Sequence, residues 1–119
     1  MADTGNHPHL LQLNGSTRVE RHKSIALLRD AIDSGQGWIT DFHEYSNLSI
    51  CIGFEMPVAF LPALTASLLA AEVSLSFRTE QALQNAETML VDDSVRCTFQ
   101  VLFIHDEPDL RRTVLAVPG

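Results

Sequence analysis

The 119-residue sequence predicts an α+β fold, a two-layer sandwich with helices on one face of an antiparallel sheet. Three observations carry that expectation. Residues 38–56 read as a β-hairpin with one apolar and one polar face. Two segments, from Thr17 and from Leu61, carry helix-start signals followed by apolar residues at helical spacing. Residues 95–105 alternate as one long strand.

The chain opens on a polar stretch, 1–9, expected to be a flexible arm, with residues 10–119 forming a single domain. Leu10 to Leu13 suit a short edge strand, ended by the turn pair Asn14-Gly15. Thr17 and Glu20 have capping-box spacing, with Thr17 at N-cap and Glu20 at N3. The helix that follows should reach about Ser34 and bury Ile25, Leu28, Ala31 and Ile32. Gly35 or Gly37 should end it by taking a positive φ.

In the hairpin, Ile50, Ile52, Phe54 and Met56 alternate with Ser49, Cys51, Gly53 and Glu55. A three-residue loop, Ser46-Asn47-Leu48, sets Phe42 opposite Ile52, His43 opposite Cys51 and Thr40 opposite Phe54. A loop of even length would push Asp41 and His43 into the apolar layer. Asn47 is the loop residue expected to take the left-handed conformation. Trp38, Thr40, Phe42 and Glu44 then share one side of the first strand, and Ile39, Asp41, His43 and Tyr45 the other.

Pro57 stops the hairpin, and Pro62 suits the first turn of a second helix, 61–72, which is apolar almost all round. Such a helix is either sandwiched in the core or packed on another subunit. Residues 73–77 read as a short extended segment, after which Thr79 caps a third helix burying Leu83, Ala86 and Leu90. On the long strand, Val95, Cys97, Phe99, Val101 and Phe103 face the core, and Leu102 and Ile104 on the other side should be partly covered. A turn around Pro108 and a last strand at 113–117 close the sheet. The summed order is nearest in outline to a ferredoxin-like arrangement. Its uncovered sheet face would carry the polar side of the hairpin.

Charge bounds the function. The formal net charge of −7 argues against a nucleic-acid partner and against an anionic membrane surface. Four of the eight Lys/Arg residues cluster early (Arg18, Arg21, Lys23, Arg29) and read as a solvated helix face. No run is long and apolar enough to span a bilayer. Two widely separated cysteines and a polar start without a signal segment fit the cytoplasm.

Two clusters could carry chemistry. Asp41, His43, Tyr45 and Cys51 place an acid, a base, a phenol and a thiol on one patch and are the catalytic candidates. His43 and Asp41, with His105, Asp106 and Glu107, are the candidate ligands of a divalent metal, which would activate a water for hydrolysis. Glu55, Asp109 and Arg111 are binding candidates. No HExxH, CxxC, GxxxxGK[ST] or GxGxxG is present. The first expectation is therefore a small binding domain without a cofactor, homodimeric or bound to another protein. It would use the polar hairpin face or the apolar second helix. The alternative is a small metal-dependent or acid–base hydrolase centred on His43, Asp41 and His105.

Overall fold

Why the elements form where they do is clearest in the sheet. In a computed structural model describing residues 9–89 and 94–104, the order is β1 (His9–Thr17), α1 (Arg21–Ser34), β2 (Trp38–Tyr45), β3 (Ser49–Pro57), a 3-10 turn (Val58–Phe60), α2 (Leu61–Ala70), β4 (Ser74–Leu75), α3 (Phe77–Met89) and β5 (Ser94–Phe103). The strands lie in the order β2-β3-β5-β1-β4. Alternation on β3 and β5 sends Ile50, Ile52, Phe54, Met56, Val95, Cys97, Phe99, Val101 and Phe103 to one buried face. Leu28 and Ile32 of α1, Leu61, Leu64 and Leu68 of α2, and Leu83 and Ala86 of α3 join the same cluster. Burial of each large side chain there contributes about 1.5–3 kcal/mol.

The sheet is mixed. β2–β3, β3–β5 and β1–β4 pair antiparallel, whereas β1 and β5 run parallel over the length of β1. This departs from the antiparallel sheet expected, and from a ferredoxin-like sheet, which is antiparallel throughout. β1 is also longer than expected and passes straight through Asn14-Gly15. A Cβ on Gly15 would lie 3.0 Å from Val73 Cγ1 and 3.1 Å from the Ser74 carbonyl oxygen. Gly15 thus serves close approach of β4 rather than a turn. β1 is no bare edge: α3 packs beside it, the Asn14 N–H donates to Thr79 Oγ1 at 2.8 Å, and the Ser76 N–H donates to the Asn14 carbonyl.

That strand displaces the expected caps. Thr17 stays in the ladder opposite Phe103, and its hydroxyl donates to the Glu72 carbonyl at 3.0 Å. Glu20 becomes the N-cap of α1, its carboxylate accepting from the His22 and Lys23 N–H groups at 2.9 and 3.0 Å. Those backbone bonds, His22 first, hold the Glu20 carboxyl below its usual range. On α3, Ser76 caps in place of Thr79: its Oγ accepts from the Thr79 N–H at 3.1 Å, freeing the Thr79 hydroxyl for Asn14.

The first helix ends on a side-chain-bearing residue where Gly35 or Gly37 was expected, and the second ends in the same way. Gln36 (φ 59°) and Glu72 (φ 63°) take the left-handed position after α1 and α2. In each case the next N–H reaches back five residues, Gly37 to Ile32 and Val73 to Leu68. Gly37 beside α1 is required by space, and Gly35 is only crowded. A Cβ on Gly37 would sit 2.8 Å from the Glu55 carbonyl oxygen, and one on Gly35 would sit 2.6 Å from Met56 Cε.

α2 buries Leu61, Leu64 and Leu68 and touches both α1 and α3, while Leu69 is 65% exposed. It is therefore not sandwiched. β4 (Ser74–Leu75) is shorter than the extended segment expected at 73–77, because Phe77 already begins α3. Leu102 is half exposed, so the cover expected there is absent among the described residues. The arm at 1–8, the turn around Pro108 and the strand at 113–117 lie outside the described residues. Among those described, no helix is long and apolar enough to cross a membrane.

Gly37→Ala must move backbone, whereas Gly35→Ala need only displace the end of a methionine. We expect Gly37→Ala to lower unfolding free energy by roughly 1–3 kcal/mol and Gly35→Ala by less. Urea denaturation of the two variants checks the order, and equal losses would contradict it.

Candidate functional site

The face of the sheet that none of the described helices covers follows from the same alternation that builds the core. The turn end of the hairpin takes the expected register: Tyr45 opposes Ser49, His43 opposes Cys51 and Phe42 opposes Ile52. Within the Ser46-Asn47-Leu48 loop it is Ser46 (φ 68°), not Asn47, that is left-handed, and its hydroxyl accepts from the Leu48 N–H at 3.2 Å. At the other end the register slips at Thr40. Ile39, not Thr40, opposes Phe54, and Trp38 opposes Glu55. The extra residue is a β-bulge, and it exchanges the faces of Trp38 and Ile39. Ile39 packs against the core while Trp38 joins Asp41, His43 and Tyr45 on the open side.

Ladder pairing arranges the open face in rows across β2, β3, β5 and β1. Tyr45, Ser49, Leu102 and Ser16 form one, and His43, Cys51, Gln100 and Asn14 the next. Asp41, Gly53, Thr98 and Gln12 follow, then Trp38, Glu55, Arg96 and Leu10. Trp38, Tyr45, Leu102 and Leu10 are between 50% and 57% exposed. Sequence reasoning missed Trp38, Leu102 and Leu10 as surface residues of this face. Strand alternation could have found Leu102, but Trp38 depends on the bulge.

The catalytic candidates Asp41, His43, Tyr45 and Cys51 do share this face. Asp41 Oδ2 lies 3.0 Å from His43 Nε2, and the His43 and Tyr45 rings stack at 6.2 Å between centroids. Both members of the Asp41–His43 pair are more than half exposed. Among the described residues, no hydrogen bond reaches the Cys51 thiol. Burial, and then the Asp41 charge, push its pKa up, which favours the unreactive thiol. Glu55 belongs to a different contact: its Oε2 accepts from Arg96 Nη2 at 2.9 Å and Nε at 3.2 Å.

Cys97 opposes Phe54 in the buried layer, so the two cysteines lie on opposite faces and both are free. Burial pushes the Cys97 thiol up to about 12. His105, Asp106, Glu107, Asp109 and Arg111 lie outside the described residues. Among those described, no group of three or more His, Cys, Asp or Glu side chains is placed to hold a metal ion. Among the described residues, Asp41, His43, Tyr45 and Cys51 line no surface cleft, although one at the β1–β4 edge of this face is lined by Asn14, Ser16, Ser76 and Leu102. The early bases are partly engaged on the helix side, where Arg21 pairs with Glu44 and the Arg29 guanidinium lies 5.6 Å from the Phe42 ring centre.

Comparison with protein-family models, with curated proteins and with solved structures finds no match.

In the folded single chain, at high dilution, one thiol, Cys51, should react with a disulfide reagent and Cys97 should not, with two reacting after unfolding. Asp41→Asn should shift the pH profile of Cys51 alkylation to lower pH, because it removes a charge that disfavours the thiolate. A profile unmoved or shifted upward would contradict this placement.

Proposed function

We propose that this chain is an interaction domain that works by binding, with the open face of its sheet as the contact surface. The observation that carries the reading is the group of four half-exposed large apolar side chains on that face, Trp38, Tyr45, Leu102 and Leu10. They stand around a lattice of hydroxyls and amides from Ser16, Gln12, Asn14, Thr98 and Gln100. Protein contact surfaces combine aromatic anchors with uncharged hydrogen-bonding groups and few charges at the centre. Tyr and Trp suit such a place because each offers a large apolar area with a polar tip.

Helices packed on one side of the sheet, in a two-layer arrangement, leave the other side for the partner. Exposure supports binding over turnover: the Asp41–His43 pair is open to solvent, and burial, then the Asp41 charge, push the nearby thiol's pKa up, away from the nucleophilic form. A partner protein, rather than nucleic acid, suits the charge of −7, and two free thiols suit the reducing cytoplasm.

Immobilised wild-type chain, Trp38→Asp, Leu102→Asp and, on the helices, Leu69→Asp and Phe77→Asp can be exposed to a lysate of the source cells. All four sites are at least half exposed, so folding should survive, which circular dichroism checks. Retained protein should fall by at least about tenfold for the two sheet variants and stay unchanged for the helix variants. Loss with the helix variants alone would place the contact surface elsewhere and overturn the reading.

A further inference from the structure

We infer that the occupant of the open face is a second copy of this chain, packed sheet to sheet about a two-fold axis that runs along the strands between β3 and β5. This rests on the reading of that face as the contact surface. A two-fold interface must be self-complementary, because each residue meets the symmetry mate of another residue on the same patch. An axis between β3 and β5 sets β3 of one copy over β5 of the other, and β2 over β1.

The rows of the face meet that requirement. The row Trp38, Glu55, Arg96, Leu10 reads apolar, acid, base, apolar across the four strands. The axis sets Glu55 over Arg96 of the second copy and Trp38 over Leu10 of the second copy, each twice. In the next row Asp41 falls over Gln12 and Gly53 over Thr98, so the carboxylate meets an amide donor. His43 then falls over Asn14 and Cys51 over Gln100, and Tyr45 over Ser16 with Ser49 over Leu102. No like charges meet. An axis along the strands also keeps strand directions aligned between the sheets, the arrangement in which twisted sheets pack at about 30° and ~10 Å apart.

Charge and area agree with this occupant. The face carries one arginine against two carboxylates, Asp41 and Glu55, so most of the net charge of −7 lies elsewhere and two copies can approach there. Four strands ~4.8 Å apart and about nine residues long cover on the order of 600 Å² per copy, or about 1,100 Å² for the pair, which clears the ~1,000 Å² a specific interface needs. The bulge at Thr40 is what brings Trp38 into the row, so the self-complementary pattern exists only in the folded chain.

Charge exchange between copies tests the inference. Glu55→Arg sets arginine over arginine, and Arg96→Glu sets acid over acid, so each variant alone should lose self-association by about tenfold or more. An equimolar mixture should form a mixed dimer, because each chain then offers the charge the other lacks, although the Glu55–Arg96 pair within each chain stays broken. The double exchange E55R/R96E should dimerise like the wild type and guards against a folding defect in the single variants. Light scattering over a dilution series reads the mass. Emission of Trp38, the only tryptophan, should shift to the red as the wild type dissociates. A wild type that stays monomeric, or a mixture that fails to recover the dimer, overturns this inference. With monomeric wild type, lysate retention that still depends on Trp38 and Leu102 leaves the contact-surface reading standing. A dimer indifferent to both charge exchanges and to Trp38→Asp uses another surface, and the inference falls.

Discussion

The ladder between β3 and β5 is the constraint on which the rest depends. It pairs Ser49 with Leu102 at one end and Pro57 with Ser94 at the other, without interruption. Because side chains alternate strictly along both strands, this one register places Phe54 beside Cys97 and Ile52 beside Phe99 in the buried layer. A slip by one residue would send that apolar set to solvent, a loss larger than the whole stability of a domain this size. The three helices complete the layer, and the hairpin and β1 attach to its flanks. The burial of one face therefore obliges Cys51, Gln100, Thr98 and Arg96 to the other, and the open surface is as strongly specified as the core.

Adjustments around that ladder solve local conflicts. β1 needs a partner along its whole length and runs beside β5, which uses up Thr17 and moves the helix cap to Glu20. Its outer backbone groups near Asn14 are met by Thr79 and Ser76, so the start of α3 also seals the sheet. Glycines stand where chains approach too closely for a Cβ, at Gly15 and Gly37, while Gln36 and Glu72 accept left-handed backbone at the helix ends. At the end of α1 space outweighed backbone preference: a left-handed Gln36 costs about 1–2 kcal/mol, whereas a Cβ on Gly37 against the Glu55 carbonyl oxygen must displace the strand itself.

The candidate site was partly legible before the fold was known. Asp41, His43, Tyr45 and Cys51 share a face because the apolar partners Phe42 and Ile52 demand it, and that demand is written in alternation. The engagement of Glu55 by Arg96 was not legible, since it depends on which strand lies beside β3. Nor was the chemical meaning of the cluster. An aspartate 3.0 Å from a histidine is the contact that orients a base, and here both side chains are more than half exposed. The thiol beside it is moved by burial away from the form that would make it a nucleophile.

What the sequence by itself determined is periodic and local: the two faces of β3 and β5, the three-residue hairpin loop, the stripe of α1 and the extended segment before α3. These depend on spacing between near neighbours, which a linear chain displays. Tertiary structure alone decided the parallel pairing of β1 with β5, the bulge at Thr40 and the exposure of Leu102 and Trp38. Each depends on residues far apart in the chain competing for the same hydrogen bonds and the same space. A strand's periodicity says that it has a buried face, and only packing says which neighbour it takes and where its register must slip to keep Ile39 in the core.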